Sequence, residues 1–345
     1  MRHLIALVLP AALGACGQFS DLVDPIHPPK HGPVAGDVVE ATDARCVTPA
    51  PSAYIVYRAE ASGRLQRIEA HPGGAVEDLT ARLELVGPGA DDFVNASPDG
   101  NSLVIGTTRV GCAAEACIAV ARRDACAAQA IVVDGKPVPS RGLAAIASGG
   151  DVVVYPAPGP AHDLDLFVVR RVSGVWSAPT NLTGGSPSPF NQRPAISDDG
   201  ARIAFACGPT AGASAPGTSL CEVGVDATAF RVVASAKSAG ASSTDAYVGS
   251  ADFAPGGGLV AEASLADVTQ LWTVAPTGQA SVVAAGVVSD ASPCVFPDGR
   301  VASVWAGREP NSGLHELKVA NANGGDATVL TPGVDVSDVG IGCSR

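Results

Sequence analysis

The stretch that decides the fold is Ile196-Ser197-Asp198-Asp199-Gly200, which is followed closely by Ile203-Ala204-Phe205. An apolar strand end leads into a tight turn that ends in glycine, and a second apolar strand follows. The pattern recurs four more times, with turns that end at Gly100, Gly150, Gly257 and Gly299. Successive turn glycines stand 42 to 57 residues apart. Because a unit of about fifty residues holds about four short strands, the repeat predicts the blades of a β-propeller.

Counting these units predicts an all-β ring of six blades, each a four-stranded antiparallel sheet over residues 46–345. The first unit lacks an innermost strand of its own, because Tyr54–Tyr57 behaves as its second strand. The apolar segment Val336–Cys343 at the end of the chain supplies the missing strand, and this closes the ring and removes exposed sheet edges. In blade one we expect the third and fourth strands at Leu65–Ile68 and Val76–Leu79. In blade four we expect the second, third and fourth strands at Ile203–Ala206, Leu220–Val225 and Phe230–Ala234.

The composition is that of a globular chain with many turns. Hydrophobic residues make up 46% and charged residues 16%, and the 345 residues include 40 Gly and 27 Pro without a collagen period. Such hydrophobicity excludes a disordered chain. The net charge of −12 disfavours nucleic acid and anionic lipid as partners.

The N-terminus is typical of an exported bacterial lipoprotein. Charged Met1-Arg2-His3 precedes an apolar run from Leu4 to Leu13, which is too short to span a bilayer. Leu13-Gly14-Ala15-Cys16 resembles a lipobox, in which Cys16 becomes the acylated first residue; an ordinary signal peptide that happens to end before a cysteine is the alternative. We expect a signal peptide at 1–15 and a flexible tether at 16–45. Gly17, where an inner-membrane retention signal has Asp, favours the outer membrane.

Three segments resemble the blades of a known family. Asp165–Arg171, Trp176–Leu182 and Arg193–Phe205 are similar to the WD-repeat-like blade of TolB-type propellers and related envelope lipoproteins. The resemblance is strongest over 165–205 and extends to 92–107 and 291–305. It implies a six-bladed propeller in the bacterial cell envelope and a structural role for Asp165.

The cysteines indicate disulfides in an oxidising compartment. Eight remain besides Cys16, an even number. Zinc is the competing interpretation, but Cys112, Cys117 and Cys126 lack the two-residue spacing of a zinc knuckle. Strand positions pair Cys112 with Cys117, Cys207 with Cys221, and Cys46 with Cys343; Cys126 and Cys294 are left over.

Few residues carry a chemical signal. The Asp-Gly turns are ordinary hairpin chemistry, and Gly-x-Ser-x-Gly is absent from the sequence. His162 and Asp163 are weak candidates for a metal site, and no cofactor is expected. Trp176, Trp272 and Trp305 are expected to pack between blades. The polar residues expected on the inner strands are Asp92, Asn95, Asp252 and Asp338.

The connections predict where a partner binds. If the four strands of a blade are lettered A to D from the centre outwards, the long connections all join strand B to strand C or strand D to strand A of the next blade. This places them on one face of the ring. We therefore expect a non-catalytic, lipid-anchored module whose long-loop face binds an envelope protein or glycan. The alternatives are a lyase- or lactonase-type enzyme that acts on a carbohydrate or lactone in the channel, and a purely structural envelope protein. The long connections are Pro156–Asp163, Thr183–Gln192, Cys207–Ser219, Ser235–Ala246 and Ala306–Gly313.

Overall fold

A computed structural model describes residues 53–344, apart from residues 60–61, 86, 113–114, 209–218, 236–246, 266–267, 286–292, 307–314, 322 and 335. All described residues belong to the unit Val38–Arg345, while the separate unit Met1–Asp37 lies outside them. The signal peptide, Cys16 and the tether that we expect from the sequence therefore also lie outside the described residues.

The described chain is built almost entirely from short strands. They are, in chain order, β1 (Tyr54–Ala59), β2 (Leu65–Glu69), β3 (Val76–Asp78), β4 (Asp91–Ala96), β5 (Ser102–Thr107), β6 (Cys117–Arg122), β7 (Gln129–Ala130), β8 (Val132–Val133), β9 (Lys136–Pro137), β10 (Ala145–Ile146), β11 (Val152–Ala157), β12 (Asp165–Val172), β13 (Val175–Trp176), β14 (Thr180–Asn181), β15 (Phe190–Ile196), β16 (Arg202–Gly208), β17 (Ser219–Gly224), β18 (Arg231–Ser235), β19 (Tyr247–Phe253), β20 (Leu259–Leu265), β21 (Val268–Val274), β22 (Ala280–Ala285), β23 (Cys294–Val295), β24 (Val301–Ala306), β25 (His315–Ala320), β26 (Thr328–Val334) and β27 (Val336–Cys343). One short helix, α1 (Leu79–Arg82), follows β3.

Six antiparallel sheets form the blades of a six-bladed β-propeller. From the innermost strand A to the outermost strand D, their orders are β27-β1-β2-β3, β4-β5-β6-β7, β10-β11-β12-β13, β15-β16-β17-β18, β19-β20-β21-β22 and β23-β24-β25-β26. The third sheet has a fifth strand, β14, beside β12. The fold class and the blade count predicted from the repeat are confirmed.

The ring closes through the last strand of the chain, as the sequence predicts. Strand β27 pairs antiparallel with β1, with Ile55 opposite Cys343 and Ala59 opposite Val336. Beyond the strand, the Ser344 hydroxyl accepts a hydrogen bond from the Tyr54 N–H at 3.0 Å, and the Ser344 N–H donates to the Tyr54 carbonyl at 3.1 Å. The first and last described segments therefore share one sheet.

The hydrophobic core lies between neighbouring blades. Six clusters of buried residues fill the six blade-to-blade interfaces. Trp272 is completely buried between blades four and five, while Trp176 and Trp305 are partly buried and pack against two other clusters. The expected packing role of the three tryptophans is confirmed.

Glycine turns lock several blades onto their predecessors. The C-to-D turn of blade six brings Gly324 against the outer strand of blade five, where a Cβ would lie 2.5 Å from the Val283 carbonyl oxygen. Gly278 makes the same approach to Val233 one blade earlier, at 2.7 Å. In blade one, the Gly73 N–H donates to the Leu330 carbonyl of blade six at 3.4 Å. Each turn thus covers part of the preceding blade's outer edge.

The structure departs from the sequence prediction at the outer strands. The outer strand of blade one ends at Asp78 instead of Leu79, because Asp78 caps α1 by accepting a hydrogen bond from the Ala81 N–H at 3.0 Å. A small hairpin of β8 and β9, turning at Asp134-Gly135, follows blade two. Neither α1 nor the β8–β9 hairpin belongs to the repeat of apolar strands and glycine turns from which the strands were predicted.

The disulfides match the prediction in part. Cys112 is bonded to Cys117 and Cys207 to Cys221, as strand positions suggest. The pairing of Cys343 with Cys46 is wrong, because Cys343 is bonded to Cys294 with the two Cα atoms 5.8 Å apart. The reason is geometric: both residues lie on innermost strands, which are neighbours around the channel. Cys126 is also disulfide-bonded, and Cys46 lies outside the described residues.

Replacing Gly324 with alanine should destabilise the ring more than an ordinary turn substitution does. We expect Gly324→Ala to lower the free energy of unfolding by about 1–2 kcal/mol more than Gly299→Ala. Both glycines have φ near +80°, but the space around Gly299 is open. Urea denaturation measures both variants, and equal losses would show that the contact with Val283 contributes nothing.

Removing the long-range disulfide should cost more stability than removing the short one. The Cys294–Cys343 bond joins residues 49 apart and the Cys112–Cys117 bond residues 5 apart. Loop-closure entropy predicts losses of about 4 and about 2 kcal/mol when both partners of a pair become alanine. Chemical denaturation of the two double variants provides the comparison, and a larger loss for the short pair contradicts this account.

Candidate functional site

The central channel is the first candidate site, because all six innermost strands line it. Its cavity has a volume of about 30 Å³, which is room for one or two water molecules. Alanine, proline and isoleucine side chains and backbone form much of the wall. The polar side chains that reach the cavity are those of Asn95, Arg193, Ser250 and Asp252.

Two of these polar side chains join neighbouring blades. Asn95 and Asp252 occupy the same position, one residue before the end of their innermost strands. Each accepts a hydrogen bond from the next backbone N–H, at 2.8 and 2.9 Å. Asn95 also donates to the Ala144 carbonyl of the next blade at 3.1 Å, and Asp252 accepts from the Val295 N–H of the next blade at 2.9 Å. Both predicted channel residues therefore connect adjacent inner strands.

The other two polar side chains bond to each other. Arg193 lies in a bulge of β15 with φ +55°, and its Nη1 donates to the Ser250 hydroxyl on β19 at 3.2 Å. This contact again spans neighbouring blades. Of the other expected inner-strand residues, Asp92 is exposed and the Asp338 side chain lies outside the described residues.

The loop-bearing face, which carries the B-to-C and D-to-A connections, is the second candidate site. Asp165 is completely buried beneath it at the start of β12. Its carboxylate accepts hydrogen bonds from Asn181 and Thr183, both at 2.8 Å, and from Asn191 at 3.4 Å. His162 Nδ1 lies 2.7 Å from the same carboxylate. Asp165 thus ties the B-to-C loop of blade three to the following connection.

This network explains why the weak metal candidate is not assembled. His162 faces Asp165, whereas Asp163 points to solvent. Among the described residues, no group of three or more His, Cys, Asp or Glu side chains has an arrangement that could hold a metal ion.

A second buried carboxylate supports the same face next to blade two. Asp91 accepts a hydrogen bond from the Thr107 hydroxyl at 2.7 Å and forms an ion pair with Arg109 at 3.3 Å. The guanidinium of Arg109 also donates to the carbonyls of Leu85, Gly87 and Gly89 at 2.7–3.0 Å. One arginine therefore fixes the D-to-A connection that enters blade two.

The opposite face consists of tight turns held by their own aspartates. Ser197 and the Ala201 N–H hydrogen-bond to Asp199 and keep the pKa of its carboxyl below the ordinary value. Burial alone would raise the pKa of Asp99, but hydrogen bonds from Ser97, Asn101 and the Gly149 N–H lower it overall. These turns are structural, as the sequence analysis expects.

Solved structures of other proteins have a similar architecture. TolB from Acinetobacter baumannii is similar with a TM-score of 0.62 at 11% sequence identity, over 86% of this chain and 68% of that chain. The fold is that of a TolB-type β-propeller. The resemblance stated from the sequence is thereby confirmed at the level of fold.

Two further solved structures are similar in fold to the chain. A protein from Lactobacillus plantarum matches with a TM-score of 0.50 at 12% identity, over 85% of this chain and 99% of that one. A puromycin hydrolase matches with a TM-score of 0.51 at 15% identity, but the matched region is 82% of this chain and 44% of that one. No protein-family model and no curated protein matches the chain. Among the described residues, no helix has the length and apolarity that a membrane crossing requires.

Sequence reasoning identified part of this site. It placed Asn95 and Asp252 in the channel of the TolB-type ring and gave Asp165 a structural role, but it missed Asp91 and Arg109. Asp91 could have been noticed in the sequence as a charged residue at the start of an apolar strand. Of the five expected long connections, Cys207–Ser219, Ser235–Ala246 and Ala306–Gly313 lie mainly outside the described residues.

The Asp165 network should make a measurable contribution to stability. We expect Asp165→Asn to lower the free energy of unfolding by about 3 kcal/mol. The amide replaces one acceptor oxygen of Asp165 by an NH2 group, which is a donor, so that some of the buried donors around it lose their acceptor. The exposed neighbour supplies the matched control: Asp163→Asn should change stability by less than about 0.5 kcal/mol. Urea denaturation at pH 7 tests both variants. Similar losses in the two would mean that Asp165 does not organise the loops.

Proposed function

We propose that this protein is a lipid-anchored interaction module of the bacterial cell envelope, and that its loop-bearing face recruits a protein or glycan partner. The TolB-type fold and the lipobox-like sequence at Cys16 support this proposal. The strongly acidic composition argues against nucleic acid as the partner.

The observation that carries the proposal is how the polar groups of the channel are used. Asn95, Asp252, Arg193 and Ser250 all make hydrogen bonds between neighbouring blades. The cavity that they reach has a volume of about 30 Å³, far below the ~300 Å³ or more of a typical small-molecule pocket. The described channel therefore favours a structural centre over a catalytic one.

The loop-bearing face has the properties of a preorganised platform. Asp165 and Asp91 hold connections from beneath, so that recognition by these loops would cost little ordering entropy. Long loops on a rigid scaffold are a common location for binding residues. The opposite face carries short turns whose aspartates bond within the turn, as at Asp199, or to the neighbouring turn, as Asp99 does to the Gly149 N–H.

The position in the envelope is inferred from the N-terminus. Acylation of Cys16 would attach the chain to a membrane, Gly17 favours the outer membrane, and residues 16–45 would serve as a tether. The lipid anchor is then the only contact with the membrane. The alternative is an enzyme of the lyase or lactonase type, and only the similarity in fold supports it. The chain spans less than half of the puromycin hydrolase to which it is similar.

Site-specific crosslinking in cells tests the proposal. Ala161 and Ala201 are both exposed alanines, one in the B-to-C loop of blade three and the other in the A-to-B turn of blade four. With the photoreactive residue benzoylphenylalanine in place of Ala161, we expect a discrete crosslinked partner. The same residue in place of Ala201 should give none. Crosslinks from Ala201 alone would assign binding to the turn-bearing face.

Replacing Cys16 tests the lipid anchor separately. Cys16→Ser should move the protein from the membrane fraction to the soluble fraction and abolish labelling by a radioactive fatty acid. If the Cys16→Ser protein stays in the membrane fraction without label, anchoring through Cys16 is contradicted.

A further inference from the structure

Three arginines form a cluster where blades one and two meet. Arg67 lies on β2 and Arg82 at the end of α1, and only 8% and 9% of their side-chain surfaces are exposed. Arg123 follows β6 directly, in the C-to-D turn of blade two, and is partly buried. Arginine is seldom buried in a protein unless its charge is paired. The partners of these three residues therefore indicate what the arginine cluster can bind.

Tyr54 lies at the centre of the arginine cluster. The guanidinium carbon of Arg67 is 5.4 Å from the centroid of the Tyr54 ring. Burial raises the pKa of the Tyr54 hydroxyl to about 12, and the charges of all three arginines act to lower it. The hydroxyl itself donates to the Gly100 carbonyl at 2.6 Å. The three guanidinium groups are thus close enough to act together on one point of the interface.

A single glutamate on β3 forms ion pairs with two of the arginines. Glu77 Oε2 lies 2.7 Å from Arg67 Nη2, and Glu77 Oε1 lies 3.5 Å from Arg82 Nη1. Burial lowers the pKa of Arg82; the charge of Glu77 raises it, and that of Arg67 lowers it again. Both carboxylate oxygens of Glu77 are therefore used by Arg67 and Arg82.

The third arginine has no comparable partner. The Nε atom of Arg123 is buried, and no described residue accepts a hydrogen bond from it. A buried N–H donor of this kind requires an acceptor, because leaving it unpaired costs the full price of removing it from water. The guanidinium of Arg123 is therefore the group in the cluster that is suited to an added anion.

Two carboxylates beside the cluster are already bonded to other groups. Asp124 accepts hydrogen bonds from Arg122 Nε and Nη2 at 3.1 and 3.2 Å, and these bonds lower its pKa more than the charge of Arg123 does. Asp99 accepts hydrogen bonds within its own turn and from the Gly149 N–H at 3.2 Å. An anion at Arg123 would complete the cluster and leave both of these arrangements intact.

We propose that Arg123, together with Arg67 and Arg82, forms a binding site for a small multivalent oxyanion such as a phosphate group. Guanidinium groups bind phosphate oxygens through paired, charge-assisted hydrogen bonds. Such bonds are stronger in a partly buried site than in water. The small exposed fractions of Arg67 and Arg82 restrict the site to a small group and exclude the backbone of a nucleic acid.

The site goes beyond the function proposed above and does not depend on it. Arg67 and Arg82 belong to blade one and the helix that follows it, whereas Arg123 belongs to blade two. A bound oxyanion would therefore join blade one, which contains the closing strand β27, to its neighbour in the ring. Because it binds the folded ring alone, it should raise the stability of the protein.

Calorimetric titration of the full-length protein tests the site. We expect inorganic phosphate at low millimolar concentration to bind and to raise Tm, relative to sodium chloride of the same ionic strength. Glycerol phosphate, titrated in parallel, distinguishes the source of the anion: tighter binding of phosphate identifies the free ion, and tighter binding of the ester identifies a phosphorylated molecule. If neither anion binds, the proposal is wrong.

Substitution of Arg123 tests where the anion binds. Arg123→Gln should weaken phosphate affinity by about tenfold or more, because it removes charge-assisted hydrogen bonds. In chloride alone its Tm should be no lower than that of the parent, because Arg123 Nε has no acceptor among the described residues.

Arg300→Gln is the matched control for this substitution. Arg300 also lies beside a turn of the turn-bearing face, but it is paired with Asp298 at 2.7 Å, so its loss should change phosphate affinity by less than about twofold. Unchanged affinity in Arg123→Gln, or an equal loss in both variants, would place the anion elsewhere. A lower Tm of Arg123→Gln in chloride would show that this guanidinium serves the fold, and this too would overturn the proposal.

Discussion

Pairing of the last strand with the first sheet is the constraint on which the rest of the structure depends. Blade one takes its innermost strand from β27 and its remaining strands from the start of the domain, so neither chain end can complete this sheet alone. Tyr54 and Ser344 extend the pairing by two more hydrogen bonds, and the Cys294–Cys343 disulfide ties β27 to the preceding blade. Without this closure, blades one and six would each lose a neighbour and expose the hydrophobic residues that now lie between them.

Closure matters more here because the blades contain few large side chains. Aromatic residues make up only 4% of the sequence, and the cluster between blades four and five relies on alanines around Phe253 and Trp272. Burying an alanine removes little apolar surface from water. Polar links between blades, such as Asp252 to Val295 and Asn95 to Ala144, therefore supplement the packing at the centre of the ring. The glycine turns do so at the periphery.

The repeat predicted much of this architecture because it is a local signal. A turn that ends in glycine, like the one at Gly200, marks the A-to-B connection in blades two to six. The lone apolar segment Val336–Cys343 predicted the closing strand of blade one with its observed bounds. The missed features are those that depend on distant neighbours. Cys343 and Cys294 become adjacent only because two innermost strands meet around the channel. The partners of Asp91 and Asp165 come from several connections, so no single sequence window contains either network.

The way the polar residues are distributed links this fold to the function proposed for it. A propeller can place catalytic groups in its channel only if its inner strands hold together without them. Here the inner strands are short in blades three and six, where β10 and β23 have two residues each, and polar side chains supply part of the attachment between neighbours. A substrate that competed for Asn95 or Asp252 would therefore weaken the ring itself. The loop-bearing face is under no such constraint, because Asp91, Arg109 and Asp165 fix the bases of its connections from within and leave their exposed residues available for recognition.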